Sequence, residues 1–157
     1  MEAYFADILE RLDFLHAEIN RAIVDLSVEA LDWSPVEGAN TIGVLGVHLI
    51  GAERYWLSAV IMGQPSDRVR DEEFQARGWL AVELQEQLEQ LSAFERAAFE
   101  TLTLTDLEHL RRVPRDNREV TVGWALAHVI EHTAIHVGHI QLTRQLWDQR
   151  VGSMTSS

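Results

Sequence analysis

Four histidines, His128, His132, His136 and His139, fall within one stretch of fourteen residues, 127–140. On a helix turning about 100° per residue, they lie within about 80° of one another around the axis, a sector as narrow as a core-facing stripe. The imidazoles are therefore aimed inward together. A further histidine, His48, shares one side of a second amphipathic segment with Val44, Leu45, Ala52, Tyr55, Trp56 and Ala59, which places it among core positions. A lone histidine on an apolar helical face is more often a hydrogen-bonded core residue than a ligand, and that reading suits His48 taken alone. Several neutral imidazoles packed together without partners would cost about 1–3 kcal/mol each, whereas a metal ion gives every lone pair a strong acceptor. The stripe thus requires helices packed against helices, with a metal site as the chemistry that makes it tolerable.

The rest of the chain supplies those helices. Tyr4, Ile8, Leu12, Leu15, Ile19, Ala22, Ile23 and Leu26 recur every three or four residues, which predicts a first helix over 3–30. A connector bearing Pro35 and Gly38 follows, and Asn40 or Thr41 can cap a second helix over 42–62, ended by Gly63 and Pro65. Residues 64–78 read as a long polar crossover with one short helical turn near 71–75. Leu80, Leu84, Leu88, Leu91 and Ala98 mark a third helix over 79–102. Pro114 and the pair Asp116 and Asn117 interrupt 110–120, giving two short extended pieces about a turn. Thr121 can cap a fourth helix running to about Trp147. The expected fold is all-α: a four-helix bundle with a long crossover between helices 2 and 3 and a short hairpin-like segment before helix 4. Residues 1–151 form a single domain, and 152–157 are expected to be a disordered tail.

Composition removes several functional classes. The net charge of −12 repels phosphate backbones and anionic lipid surfaces, so neither nucleic acid nor membrane is an expected partner. Cysteine is absent, which rules out disulfides, thiolate metal sites and a catalytic thiol from this chain. The apolar run from Ile42 to Met62 is interrupted by His48, Glu53 and Arg54 and reads as a buried helix rather than a span. The first residues carry Glu2 and Asp7 where a secretory leader would be basic, so a cytoplasmic location is expected.

Residues four apart on a helix are about 6 Å apart along its axis and can share an ion, whereas His128 and His136 are about 12 Å apart and cannot easily do so. The pair is His128 with His132 or His132 with His136, and the spacing leaves both open. Three neutral imidazoles without a carboxylate would leave a divalent ion its full charge and an open position for water or substrate. Glu53 and Glu131 lie about 140° and 100° from the histidines of their helices, positions that suit surface salt bridges. Arg111, Arg112, Arg115 and Arg118 form a basic patch that reads as a solvated turn before it reads as an anion site. Tyr55, Trp56 and Trp124 read as core before they read as pocket walls.

Asn40-Thr41-Ile42-Gly43, the stretch from His48 through Glu53-Arg54-Tyr55-Trp56, and the histidine run from His128 to His139 together resemble the DinB-like (DinB/YfiT) metal-binding bundles along nearly the whole chain. The resemblance implies a triad of one histidine from helix 2 and a His-x-x-x-His pair from helix 4, here His48, His132 and His136. It implies a divalent ion, often zinc or nickel, and a homodimer. It also implies a small-molecule substrate and chemistry of the kind performed by thiol-dependent S-transferases, with a low-molecular-weight thiol as cosubstrate. Metal-dependent hydrolysis, and a non-catalytic homodimer that binds metal or ligand, are the alternatives. The paired Glu-x-x-His units of di-iron bundles are missing.

Overall fold

The computed structural model describes residues 1–155 and contains six α-helices, a π-helical segment, a 3₁₀ turn and one hairpin. Four long helices form the bundle: α1 (Ala3–Ile23), α3 (Ile42–Tyr55), α5 (Ala81–Glu100) and α6 (Val122–Thr155). Helices α1 and α3 each pack against both α5 and α6, so α1 faces α3 across the bundle axis and α5 faces α6.

The first helix is shorter than its periodicity predicts. It stops at Ile23, and Ser27 accepts a hydrogen bond from the Ala30 N–H to start a separate helix, α2 (Val28–Leu31). A serine hydroxyl that can satisfy a free backbone donor favours a new helix start over continuation of the old one. Thr41 caps α3 by accepting from the Val44 N–H at 3.2 Å. Beyond Tyr55 the expected second helix continues, but Trp56–Ile61 are wound as a π-helix. The wider turn buries Trp56, Leu57, Ala59, Val60 and Ile61 together. Arg111 closes this segment by donating from Nε to the Ile61 carbonyl at 2.9 Å.

The crossover contains the short helix α4 (Arg70–Glu73), one residue ahead of the expected turn. Helix α5 starts where Glu83 accepts from the Leu80 N–H. A 3₁₀ turn (Leu104–Glu108) then leads into strands β1 (Leu110–Arg112) and β2 (Glu119–Thr121), which pair antiparallel with Arg111 opposite Val120. Asn117 takes the left-handed conformation in their turn, φ +60°, as Asn tolerates better than most residues. Thr121 caps α6 by accepting from the Trp124 N–H. That helix runs past Trp147 and through Gly152 to Thr155. The expected tail is thus helical at 152–155, and Ser156 and Ser157 lie outside the described residues.

Two apolar clusters fill the bundle. One gathers Phe5, Leu12, Leu57, Phe99, Leu126 and Val129; the other gathers Ile19, Leu49, Leu88, Leu91, Val137 and Ile140. Each long helix crosses from one to the other through a single buried polar residue: His16, Glu53, Glu95 and Thr133. Ile42–Ile61 is apolar and long enough to be a candidate span, but 72% of its window is buried inside the bundle.

Candidate metal centre

His48 lies on α3 and His132 and His136 on α6, one turn apart along that helix. Their Nε2 atoms converge. His132 Nε2 is 3.3 Å from that of His48 and 3.2 Å from that of His136. His48 is buried, and the other two are half-buried. The structure therefore joins His132 to His136, and it places His128 on a different group of neighbours.

Glu73, from α4, fixes the tautomer of His48. Its Oε2 lies 2.8 Å from His48 Nδ1. A carboxylate only accepts, so Nδ1 carries the proton and the Nε2 lone pair points at His132 and His136. Arg68 grips Glu73 with two donors, Nε to Oε1 at 2.6 Å and Nη2 to Oε2 at 2.7 Å. Burial pushes the Glu73 carboxyl up, but the hydrogen bonds from Arg68 and His48 outweigh it and hold the group below its ordinary value. Glu73 can approach α3 this closely because residue 51 is glycine: a Cβ there would overlap Glu73 Oε1 and lie 3.0 Å from Cδ. The Phe74 ring covers His48 at 4.8 Å between centroids.

The donor set suits a divalent ion. Two bonds of about 2.05 Å meeting at a tetrahedral angle place their nitrogens about 3.3 Å apart, and the two measured separations are 3.2 and 3.3 Å. Burial, followed by repulsion from neighbouring histidines, lowers His132 and His136 to about 4. Both rings are therefore neutral at physiological pH and their lone pairs are available. His136 Nδ1 is buried without a partner, so no second support equivalent to Glu73 orients that ring.

The flanking histidines have other neighbours. His128 stacks on Trp124 at 5.1 Å with a 13° interplanar angle, and it meets Trp56 edge-on at 4.7 Å. Burial lowers its pKa. Its ring lies 5.7 Å from that of His132, so His128, Trp124 and Trp56 make an aromatic wall leading to the triad. His139 is exposed, 5.7 Å from His136, and borders a cleft of about 290 Å³ with Asn40 and Leu142. A second cleft, about 390 Å³, is lined by Tyr55, Arg68, Arg70 and Arg115, and so shares Arg68 with the support of His48.

The basic patch is largely structural. Arg111 ends the π segment, the Arg115 N–H donates to the Tyr55 hydroxyl, and Arg118 stacks over Trp124 while pairing with Asp116. Tyr55 and Trp56 are buried as expected, and Trp124 is exposed. Glu131 is on the surface. Glu53 is not: the expected surface carboxylate is 1% exposed and faces His16 and Thr133. Glu73 lies outside the residues to which the sequence points. The one local signal for it is Gly51, a helix-interior glycine whose missing side chain marks a close approach.

A histidine triad between the third and sixth helices of this bundle defines a DinB/YfiT-like protein, one of a class of metal-binding four-helix bundles. The sequence pattern of the mycothiol-S-transferase family matches residues 7–149. The chain belongs to that family, a family of metal-dependent DinB-like enzymes. Comparison with curated proteins gives no match. Among solved structures, a conserved protein from Enterococcus faecalis superposes with a TM-score of 0.77 at 15% identity, covering 93% of this chain and 97% of that one. YfiT from Bacillus subtilis, described as a probable metal-dependent hydrolase with an unusual four-helix bundle topology, gives 0.71 at 17% identity, covering 97% and 90%. At these identities the likeness establishes the shared fold.

Proposed function

We propose that this protein is a divalent-metal-dependent S-transferase that uses a low-molecular-weight thiol against a small electrophilic substrate, with His48, His132 and His136 holding the ion. The observation that carries this reading is the donor set: three converging imidazole nitrogens, with His132 at tetrahedral spacing from both others and two of them on half-buried rings. A structural zinc site is ordinarily closed by four protein ligands, whereas three leave a position for an exchangeable guest. Zinc and nickel both suit an all-imidazole set. When bound, the ion supplies Lewis acidity that favours the deprotonated form of a thiol or water.

The chain's own residues do the remaining work. Arg68 and Glu73 hold the His48 ring so that Nε2 is the free nitrogen, an outer support whose loss typically weakens metal affinity about 10–100-fold. Phe74 covers the His48 ring and excludes water from that side. Trp124 and the His128 ring stacked on it, backed by the buried Trp56, offer aromatic surface for a substrate, and Arg70 and Arg115 border the adjoining cleft where polar groups of a thiol would lie. The same reading assigns the protein to the cytoplasm, where such thiols are kept reduced, and to a homodimer.

Metal-loaded protein incubated with mycothiol, bacillithiol or other cellular thiols and a chromogenic electrophile should turn over, and a chelator should stop it. Absence of turnover, with no thiol perturbing the visible spectrum of the nickel-substituted protein, would sink the proposal. A hydrolase is the second reading, favoured by the description of the YfiT neighbour. Hydrolysis of simple esters or lactones with thiol omitted would identify it.

A further inference from the structure

The buried polar layer between the two apolar clusters leaves one carboxyl, that of Glu95, without a partner. His16 places Nδ1 2.9 Å from Ser92 Oγ and Nε2 3.0 Å from Glu53 Oε2. The other Glu53 oxygen faces Thr133 Oγ1 at 2.8 Å, and that hydroxyl lies equally close to the Val129 carbonyl with a single hydrogen to give. Glu95 is 0% exposed, and neither of its oxygens meets a donor. Its carboxyl faces that of Glu53, and burial together with that neighbour pushes it well above the usual carboxylate range. Asp13 adds to the negative field, and Arg54, stacked over Phe94, opposes it from outside the layer.

Glu53 has His16 for a partner, but the fully buried Glu95 has neither a donor nor a cation of its own. Ligand atoms of His16, Glu53 and Glu95 lie within 4.8 Å of one another, a spread that one ion can span with bonds of about 2.0–2.6 Å. Ser92 can accept from His16 Nδ1, the outer hydrogen bond usual for a ligating histidine, and with that tautomer the Nε2 lone pair would take an ion in place of its present contact with Glu53 Oε2. We propose that His16, Glu53 and Glu95 form a second divalent-cation site, contributed by α1, α3 and α5 and separate from the histidine triad. One imidazole and two carboxylates make a harder donor set than three imidazoles, and the ion that suits it is manganese(II) or one of similar hardness. Thr133, which touches Glu53, is the neighbour of His132 in the chain, so an ion here would also tie α6 to the layer beside the triad.

The proposal stands independently of the S-transferase reading. The test is manganese content, measured by elemental analysis and electron paramagnetic resonance on untagged full-length protein produced in manganese-supplemented medium. His132→Ala, which breaks the triad and spares the layer, should retain one manganese per chain. Glu95→Gln should weaken manganese binding at least about tenfold while keeping the zinc or nickel of the triad. The proposal is overturned if His132→Ala carries only trace manganese, a result that stands even where Glu95→Gln fails to fold. It is also overturned if Glu95→Gln binds manganese as the wild type does. In the first case the missing charge is a proton shared by Glu95 and Glu53, seen as a protonated-carboxyl infrared band that Glu95→Gln removes. Loss of triad metal in His132→Ala reports on the other site and leaves this outcome readable.

Discussion

Gly51→Ala separates the fold from the metal centre in a single atom. Alanine is the better helix former by about 1 kcal/mol in a helix interior, so local propensity predicts a more stable α3. The added Cβ, however, would occupy the space of Glu73 Oε1 and come within 3.0 Å of Glu73 Cδ and 3.4 Å of Arg68 Nε. Glu73 must then move by about an ångström, because carbon and oxygen in van der Waals contact stay more than about 3 Å apart. Its hydrogen bond to His48 is 2.8 Å long, and a displacement of that size breaks it. His48 loses the partner that fixes its tautomer and ring angle. The expected result is a 10–100-fold fall in metal affinity, about 1.4–2.8 kcal/mol, with little change in the unfolding of the metal-free protein, where propensity gain and ion-pair disruption oppose each other. Competition against a chromogenic chelator measures the first quantity, and thermal unfolding in excess chelator the second. Glu73→Ala should produce a similar loss of affinity, and the double variant should be hardly worse than either single one, since both act through the same hydrogen bond. Wild-type affinity in Gly51→Ala, or additive losses in the double variant, would refute the role given to Glu73.

Three other outcomes are expected. His132→Ala should lose stoichiometric triad metal while keeping a helical circular-dichroism spectrum, and wild-type metal content would contradict the ligand assignment. The metal-free protein should lose thermal stability on acidification: burial holds His132 and His136 down to about 4 in the fold, whereas the unfolded chain returns them to the ordinary histidine value of about 6.5. The unfolded chain therefore binds protons that the folded chain refuses as pH falls from about 6.5 towards 4, and these groups contribute no slope above that window. Thermal midpoints measured across this window should fall, and His136→Ala should make the fall shallower; an equal slope in the variant would count against buried neutral rings. Phe99→Ala, at a residue 0% exposed in the first apolar cluster, should cost about 3–5 kcal/mol in denaturant unfolding, and a loss below about 1 kcal/mol would show that the cluster does not bear on stability.

Much of this molecule is legible from its sequence because long amphipathic periods leave few alternatives. The hydrophobic repeats of α1 and α5 and the histidine stripe of α6 locate those helices; turning His48 and the stripe inward leaves His132 with either His128 or His136, and the resemblance to the DinB-like bundles selects His136. The errors have specific causes. The stripe predicts a single inward face, but its four rings meet different neighbours along the axis of α6: His128 packs on Trp124 and His139 reaches solvent. The π winding after Tyr55 has no period that Leu57, Ala59, Val60 and Ile61 could reveal, since each is buried whichever way it is wound. Glu73 reaches His48 from 25 residues away across a polar crossover without periodicity.

Glu53 is the most informative miss. Its angle of about 140° from His48 would suit a wet side, but α3 has none. Eleven of its fourteen residues are buried, and its apolar residues run all round the helix, as expected for a helix with neighbours on several sides. Such a helix has two functional faces: one turns His48 towards α6 and α4, and the other turns Glu53 towards His16 and Glu95. A carboxylate on a helix that is hydrophobic all round can escape to water only at its ends, so a mid-helix Glu there requires a buried partner. In this sequence the rule points from Glu53 to the inward polar positions of α1 and α5, where His16 and Glu95 stand.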